Sequence, residues 1–110
     1  MYFLEYQRES KKTDRGTIIK DSDVAYYTLG LFDESGEVAG KIKKLYRDLN
    51  GELNEDYKKE IAKELGDVLW YLSQLCTKFG LSLEEVAQMN IDKLFSRMER
   101  KKIQGNGDNR

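Results

Sequence analysis

The sequence predicts an all-α fold, an antiparallel helical bundle of about four main helices. Three observations lead there. Proline is absent from all 110 residues, apolar residues recur mostly at three- and four-residue steps instead of alternating, and short turn clusters separate the periodic stretches. A chain of this length is expected to form one domain, residues 1–110, with a modest core and a flexible tail from about residue 103.

The first helix is expected from about Phe3 to Lys12, with Leu4, Gln7 and Lys11 on one side; its apolar stripe is thin. Asp14, Arg15 and Gly16 break it. After Ile18 and Ile19, Asp21 and Ser22 offer N-cap oxygens for a second helix from about Asp23 to Leu49. Its core stripe is Leu31, Val38, Ile42, Leu45 and Leu49. Gly30, Gly36 and Gly40 fall inside it, each costing about 1 kcal/mol relative to alanine. They imply a closely packed neighbour or open space beside a site.

Asn50-Gly51 signals a turn, and Asn54 followed by Glu55 and Asp56 supplies a cap and acids suited to a helix dipole. The third helix then runs to about Phe79 and stops at Gly80. Its main stripe is Ile61, Leu65, Val68, Leu69, Leu72, Cys76 and Phe79. Ala62, Gly66, Ser73 and Trp70 lie toward another side. Small residues beside a tryptophan suggest a second contact surface and hence a homo-oligomer. Ser82 and Glu85 fit a capping box, with Leu81 and Val86 as a hydrophobic staple. The fourth helix they open has a core face of Leu83, Val86, Ala87, Ile91, Leu94 and Met98. Beyond Lys102 the tail is polar and glycine-rich, and is expected to move unless a ligand or partner orders it.

Composition narrows the chemistry. With a net charge of -1, no overall field favours nucleic acid or an anionic membrane, despite the short basic run Arg100-Lys101-Lys102. The single cysteine, Cys76, leaves no internal disulfide and fits a reducing compartment. Met1 to Ser10 carries no sustained apolar segment, so a cytoplasmic location is expected. Histidine is absent, so a metal site must use oxygen ligands and a hard cation. Zinc, haem and serine-histidine chemistry recede, and a di-iron carboxylate bundle lacks its usual Glu-x-x-His pairs.

Against that background, Glu34-x-x-Glu37 and Glu64-x-x-Asp67 stand out. Residues three apart on a helix project together, and Glu34 and Glu64 fall at the edges of their apolar stripes. Antiparallel packing about the Asn50-Gly51 turn brings residue 37 roughly opposite residue 64. Four acids gathered there would raise one another's pKa or recruit a cation. Carboxylate oxygens suit Mg²⁺, with Mn²⁺ as a substitute, and such an ion can neutralise a triphosphate and activate water. The competing reading is ordinary surface ion pairing, Glu37 with Lys41 and Glu64 with Lys63 or with arginines of another helix.

The runs Leu29-Gly30-Leu31-Phe32-Asp33-Glu34-Ser35-Gly36-Glu37-Val38-Ala39 and Lys63-Glu64-Leu65-Gly66-Asp67-Val68-Leu69-Trp70-Tyr71 resemble the MazG-like nucleotide pyrophosphohydrolases of the all-α NTP pyrophosphatase superfamily. The likeness extends through Asn90-x-x-Lys93-Leu94-x-x-Arg97 and Gly105-Asn106-Gly107-Asp108-Asn109-Arg110. It implies Mg²⁺-dependent hydrolysis of a nucleoside triphosphate to the monophosphate and pyrophosphate, metal-activated water attacking the α-phosphorus. Glu34, Glu37, Glu64 and Asp67 would be the metal ligands, one of them holding the attacking water as an alternative. Assembly as a dimer or dimer of dimers, with active sites near subunit contacts, is also implied.

With the resemblance, Asn90, Lys93 and Arg97 become candidate substrate contacts: a buried asparagine needs partners, and cations one turn on can meet phosphate oxygens. Lys41 and Lys44 are further candidates for the pyrophosphate end. Trp70, Tyr71, Tyr26 and Tyr27 are expected to serve the core more than to stack on a base. Two rivals stay open. One is a pyrophosphohydrolase of phosphoribosyl-ATP or of deoxycytidine or deoxyuridine nucleotides, and the other is a non-catalytic helical interaction module.

Overall fold

A computed structural model describes residues 1–16, 22–101 and 105–109. The described residues contain four α-helices and no strand: α1 (Phe3–Lys11), α2 (Asp23–Leu49), α3 (Glu55–Lys78) and α4 (Leu83–Glu99). None of these helices is long and apolar enough to cross a membrane. Ile18, Ile19 and the proposed cap Asp21 lie outside the described residues, and the Ser22 side chain makes no capping bond to α2. The other boundaries follow local chemistry. Asn50 and Gly51 take the left-handed conformation that ends α2, a position asparagine and glycine tolerate. Asn54 Oδ1 then accepts from the Tyr57 amide at 2.8 Å and opens α3, Gly80 turns left-handed after it, and Ser82 Oγ accepts from the Glu85 amide at 3.3 Å to open α4.

α2 and α3 form the principal antiparallel pair. Lys78 reaches Asp23 at 2.7 Å near one end, and the Tyr57 hydroxyl donates to the Lys41 carbonyl at 2.5 Å toward the other. Between them, Gly30 lies against the ring of Tyr71: a Cβ there would come within 2.1 Å of a ring carbon. Close packing therefore explains Gly30. Gly36 and Gly40 have open space where a Cβ would go, so the same explanation fails for them within this chain.

α1 seals one side of α3 with hydrogen bonds more than with apolar contact. Gln7 donates to Thr77 Oγ1 at 3.0 Å and to the Leu81 carbonyl at 2.8 Å, while its Oε1 accepts from the Leu83 amide at 2.8 Å. One side chain thus ties together the end of α3, the turn and the start of α4. Next to it the Ser10 hydroxyl meets Ser73 Oγ at 3.1 Å and accepts from Gln74 Nε2 at 3.0 Å. Thr13 Oγ1 accepts from the Trp70 indole at 2.7 Å. The Ser73 and Trp70 surface, expected to await a second copy, is in part covered by this chain's own α1 and the turn after it. Its small polar residues match the polar side of α1, which a search for apolar periodicity passes over.

Only Tyr27, Leu45, Cys76 and Leu83 make up the buried apolar core among the described residues. Leu65, Phe79, Ile91 and Met98, expected inside, are exposed, and Ile42 lies at the edge of exposure. The reason is geometric: α4 packs on α1 and α3 but not on α2, so no helix covers these faces. The radius of gyration is 16.9 Å, against about 13 Å for a compact domain of 100 residues.

The contact at Gly30 sets a sharp test. Gly30→Ala forces the Tyr71 ring aside and should destabilise the fold by about 1–3 kcal/mol, the usual cost of overpacking. Urea unfolding measures it, and an unchanged midpoint would mean that the helices separate without cost.

Candidate metal centre

The antiparallel register puts residue 37 level with residue 64, as expected, but the side chains do not all converge. Glu34, Glu64 and Asp67 each offer a carboxylate oxygen within 4.8 Å of the others. Glu34 and Glu64 are half-buried and Asp67 is exposed. Glu37 is exposed and outside this group. Its charge still acts on Glu34, whose carboxyl is held above the usual range first by burial and then by Asp67, Asp33, Glu64 and Glu37.

Among the described residues no lysine pairs with these acids. Lys41 and Lys63, the partners the spacing offered, both turn to Glu60, at 3.7 Å and 3.1 Å. Among the described residues none of the four acids forms an ion pair, so the surface-pairing alternative is not realised. Like charges drawn together without a cationic side chain suit a bound cation, and a donor set made only of carboxylate oxygens suits a hard one.

The acids border a cleft of about 370 Å³ lined by Thr13, Glu34, Asp67, Trp70 and Tyr71. Its aromatic wall continues inward. Trp70 and Tyr71 meet edge to face at 5.0 Å, and Tyr26 and Tyr27 approach them at 6.1 Å and 6.3 Å. Burial, then Tyr26, and then the charges of Glu34 and Asp33 push the Tyr71 phenol up to about 12, so it keeps its proton at neutral pH. The Tyr27 hydroxyl donates to Asp14. Trp70 and Tyr71 thus serve both packing and the cleft. Thr13 was not singled out in the sequence, because nothing local signals that the turn after α1 returns to the indole.

The expected substrate contacts lie elsewhere in this chain. Asn90 is exposed, not buried, because α4 turns that side away from α1 and α3. It lines a separate cleft with Leu81, Val86, Met89 and Lys93. Arg97 is buried rather than solvated, and with Lys93 it holds Asp108 of the tail, at 3.3 Å and 3.2 Å. Among the described residues of the tail, Gly107 and Asp108 hydrogen-bond to these cations. Neither cation lines the acidic cleft.

The family model of the MazG nucleotide pyrophosphohydrolase domain matches residues 23–101, which include all four acids. The chain belongs to the MazG nucleotide pyrophosphohydrolase family. It is 45% identical over 87 residues to the Gene 37 protein of Mycobacterium phage L5, covering 79% of this chain and 76% of the phage protein. It is 32% identical over 74 residues to the uncharacterized protein YvdC of Bacillus subtilis (strain 168), covering 63% of this chain and 70% of that one. No solved structure matches significantly.

The raised carboxyl of Glu34 gives a signed expectation. A carboxyl whose folded pKa exceeds its unfolded value contributes stability below the unfolded value and loses it as pH rises through the folded one. Without divalent metal, Glu34→Gln should therefore raise the thermal midpoint at pH 7, and the gain should vanish below the ordinary carboxylate range. Thermal scans at pH 3.5 and 7 decide it.

Proposed function

We propose that this chain is a Mg²⁺-dependent pyrophosphohydrolase of nucleoside triphosphates, with Glu34, Glu64 and Asp67 as the core of its metal centre and Glu37 joining from one turn away. The observation that carries the reading is the convergence of three carboxylates with no ion-pair partner among the described residues, in a chain of this family. The bond broken is the anhydride between the α- and β-phosphates, and water adds to the α-phosphorus to yield the monophosphate and pyrophosphate. Bound Mg²⁺, or Mn²⁺ in its place, supplies charge neutralisation and activation of water.

The chain's own groups do the rest. Glu34, on the half-buried edge of α2, and Glu64 and Asp67 on α3 would hold the cation, on two helices whose spacing the Gly30 contact limits. The carboxylate left free of metal would take the water's proton. Trp70 and Tyr71 offer ring surface beside the acids on which a nucleobase or sugar can rest. Thr13 keeps the indole in place.

Assembly as a homo-oligomer is part of this reading, and the exposed apolar side chains support it. Phe32 is 82% exposed next to Asp33 and Glu34, and Met89 is 70% exposed on α4. A surface helix normally turns such residues inward. A second copy covering these faces can bring Asn90 and Lys93 of its α4 toward the phosphates, a contact the single chain does not make. Lys41, half-buried beside Glu60, is the weakest of the substrate contacts.

Asp67→Asn and Glu37→Gln should each lower kcat/KM on the order of 100-fold or more while far-ultraviolet circular dichroism stays the same. Pyrophosphate release over a panel of ribo- and deoxynucleoside triphosphates and phosphoribosyl-ATP, with and without Mg²⁺, reads out both reaction and substrate. Normal turnover by both purified variants would end the assignment. Mg²⁺ with a non-hydrolysable analogue at 100 times its Kd should add about 2.7 kcal/mol to stability. A non-catalytic interaction module predicts no such gain.

A further inference from the structure

Arg97 is the one buried charged side chain among the described residues, 3% exposed. Its Nη2 donates to the carbonyl oxygens of Asp108 at 2.6 Å and Gly107 at 3.4 Å and lies 3.3 Å from Asp108 Oδ1. Lys93 Nζ donates to that same Oδ1 at 3.2 Å. A guanidinium presents Nε–H and Nη2–H along one edge, spaced to meet two oxygens of a carboxylate or phosphate. Asp108 engages only half of this fork. Among the described residues the buried Nε has no hydrogen-bond partner, an unfavourable state for any donor. The carboxylate, by contrast, is 84% exposed. A weakly covered internal anion thus sits on a cationic pair that it does not satisfy.

We propose that residues 105–109 form a displaceable strap in which the Asp108 carboxylate occupies the place of a phosphoryl group on Lys93 and Arg97. A phosphoryl group has three peripheral oxygens, enough to meet Nε, Nη2 and Lys93 together. It therefore satisfies the donor that Asp108 leaves unmade and releases the strap. The tether holds Asp108 at an effective concentration on the order of millimolar, so the strap sets a threshold that the ligand must exceed. This rests on reading Lys93 and Arg97 as phosphate contacts and is independent of chemistry at the acids, which border a different cleft.

The experiment titrates the full chain with inorganic pyrophosphate in the presence of a chelator, so that no metal holds the ligand at the acids. Backbone NMR order of residues 105–109 and calorimetric Kd are the readouts. In the wild type, order at Gly107 and Asp108 should fall saturably with pyrophosphate. Asp108→Asn loses the carboxylate but keeps the backbone carbonyl contacts, so the tail should be less ordered than in the wild type before ligand is added and pyrophosphate should bind about fivefold tighter. Lys93→Gln should bind it about tenfold more weakly. Because the chelator removes any metal from the acids, this titration does not depend on chemistry there, which separates its result from failure of the catalytic reading. Orthophosphate matching pyrophosphate would support the strap and reduce the ligand to a single phosphoryl group. An unchanged tail at saturating pyrophosphate, equal release by sodium chloride at matched ionic strength, or no gain in Asp108→Asn would each overturn the proposal.

Discussion

The register of α2 against α3 is the constraint on which the rest of this structure depends. At Gly30 the Tyr71 ring leaves no room for a side chain, and the ion pair between Asp23 and Lys78 and the Tyr57 bond to Lys41 hold the flanking turns. A slip by one residue would rotate Glu64 and Asp67 by about 100° relative to Glu34. The convergence of those acids is thus a result of packing at a glycine more than one turn away.

That convergence works against stability. Glu34 is half-buried beside three other acids and an aspartate neighbour, and its raised carboxyl registers the strain. The lysines near enough to relieve it are both drawn to Glu60. A site held ready in this way favours whatever cation it binds, since the repulsion removed on binding adds to affinity.

The small apolar core belongs to the same economy. α1 is held by Gln7, Ser10 and Thr13 more than by hydrophobic contact, and α4 packs only on α1 and α3, leaving its own apolar side uncovered. Polar bonds of this kind are specific in geometry but modest in net energy, about 0.5–1.5 kcal/mol each. Burying the exposed faces of α2, α3 and α4 in an assembly would supply the apolar contact that the single chain lacks.

The sequence by itself determined the helices, most of their ends and the family, because caps, turn glycines and the spacing of four acids are local signals. Asn54, Ser82 and Gly80 each act within one turn of where they stand. It also determined that any metal would meet oxygen donors, since histidine is absent. Only the tertiary structure decided which acids converge, that Glu37 stays outside, that Thr13 returns to Trp70, and that Lys93 and Arg97 face the tail instead of the acids. Those outcomes depend on how helices rotate and pack against one another. A stripe of side chains read along one helix carries no record of which neighbour will cover it.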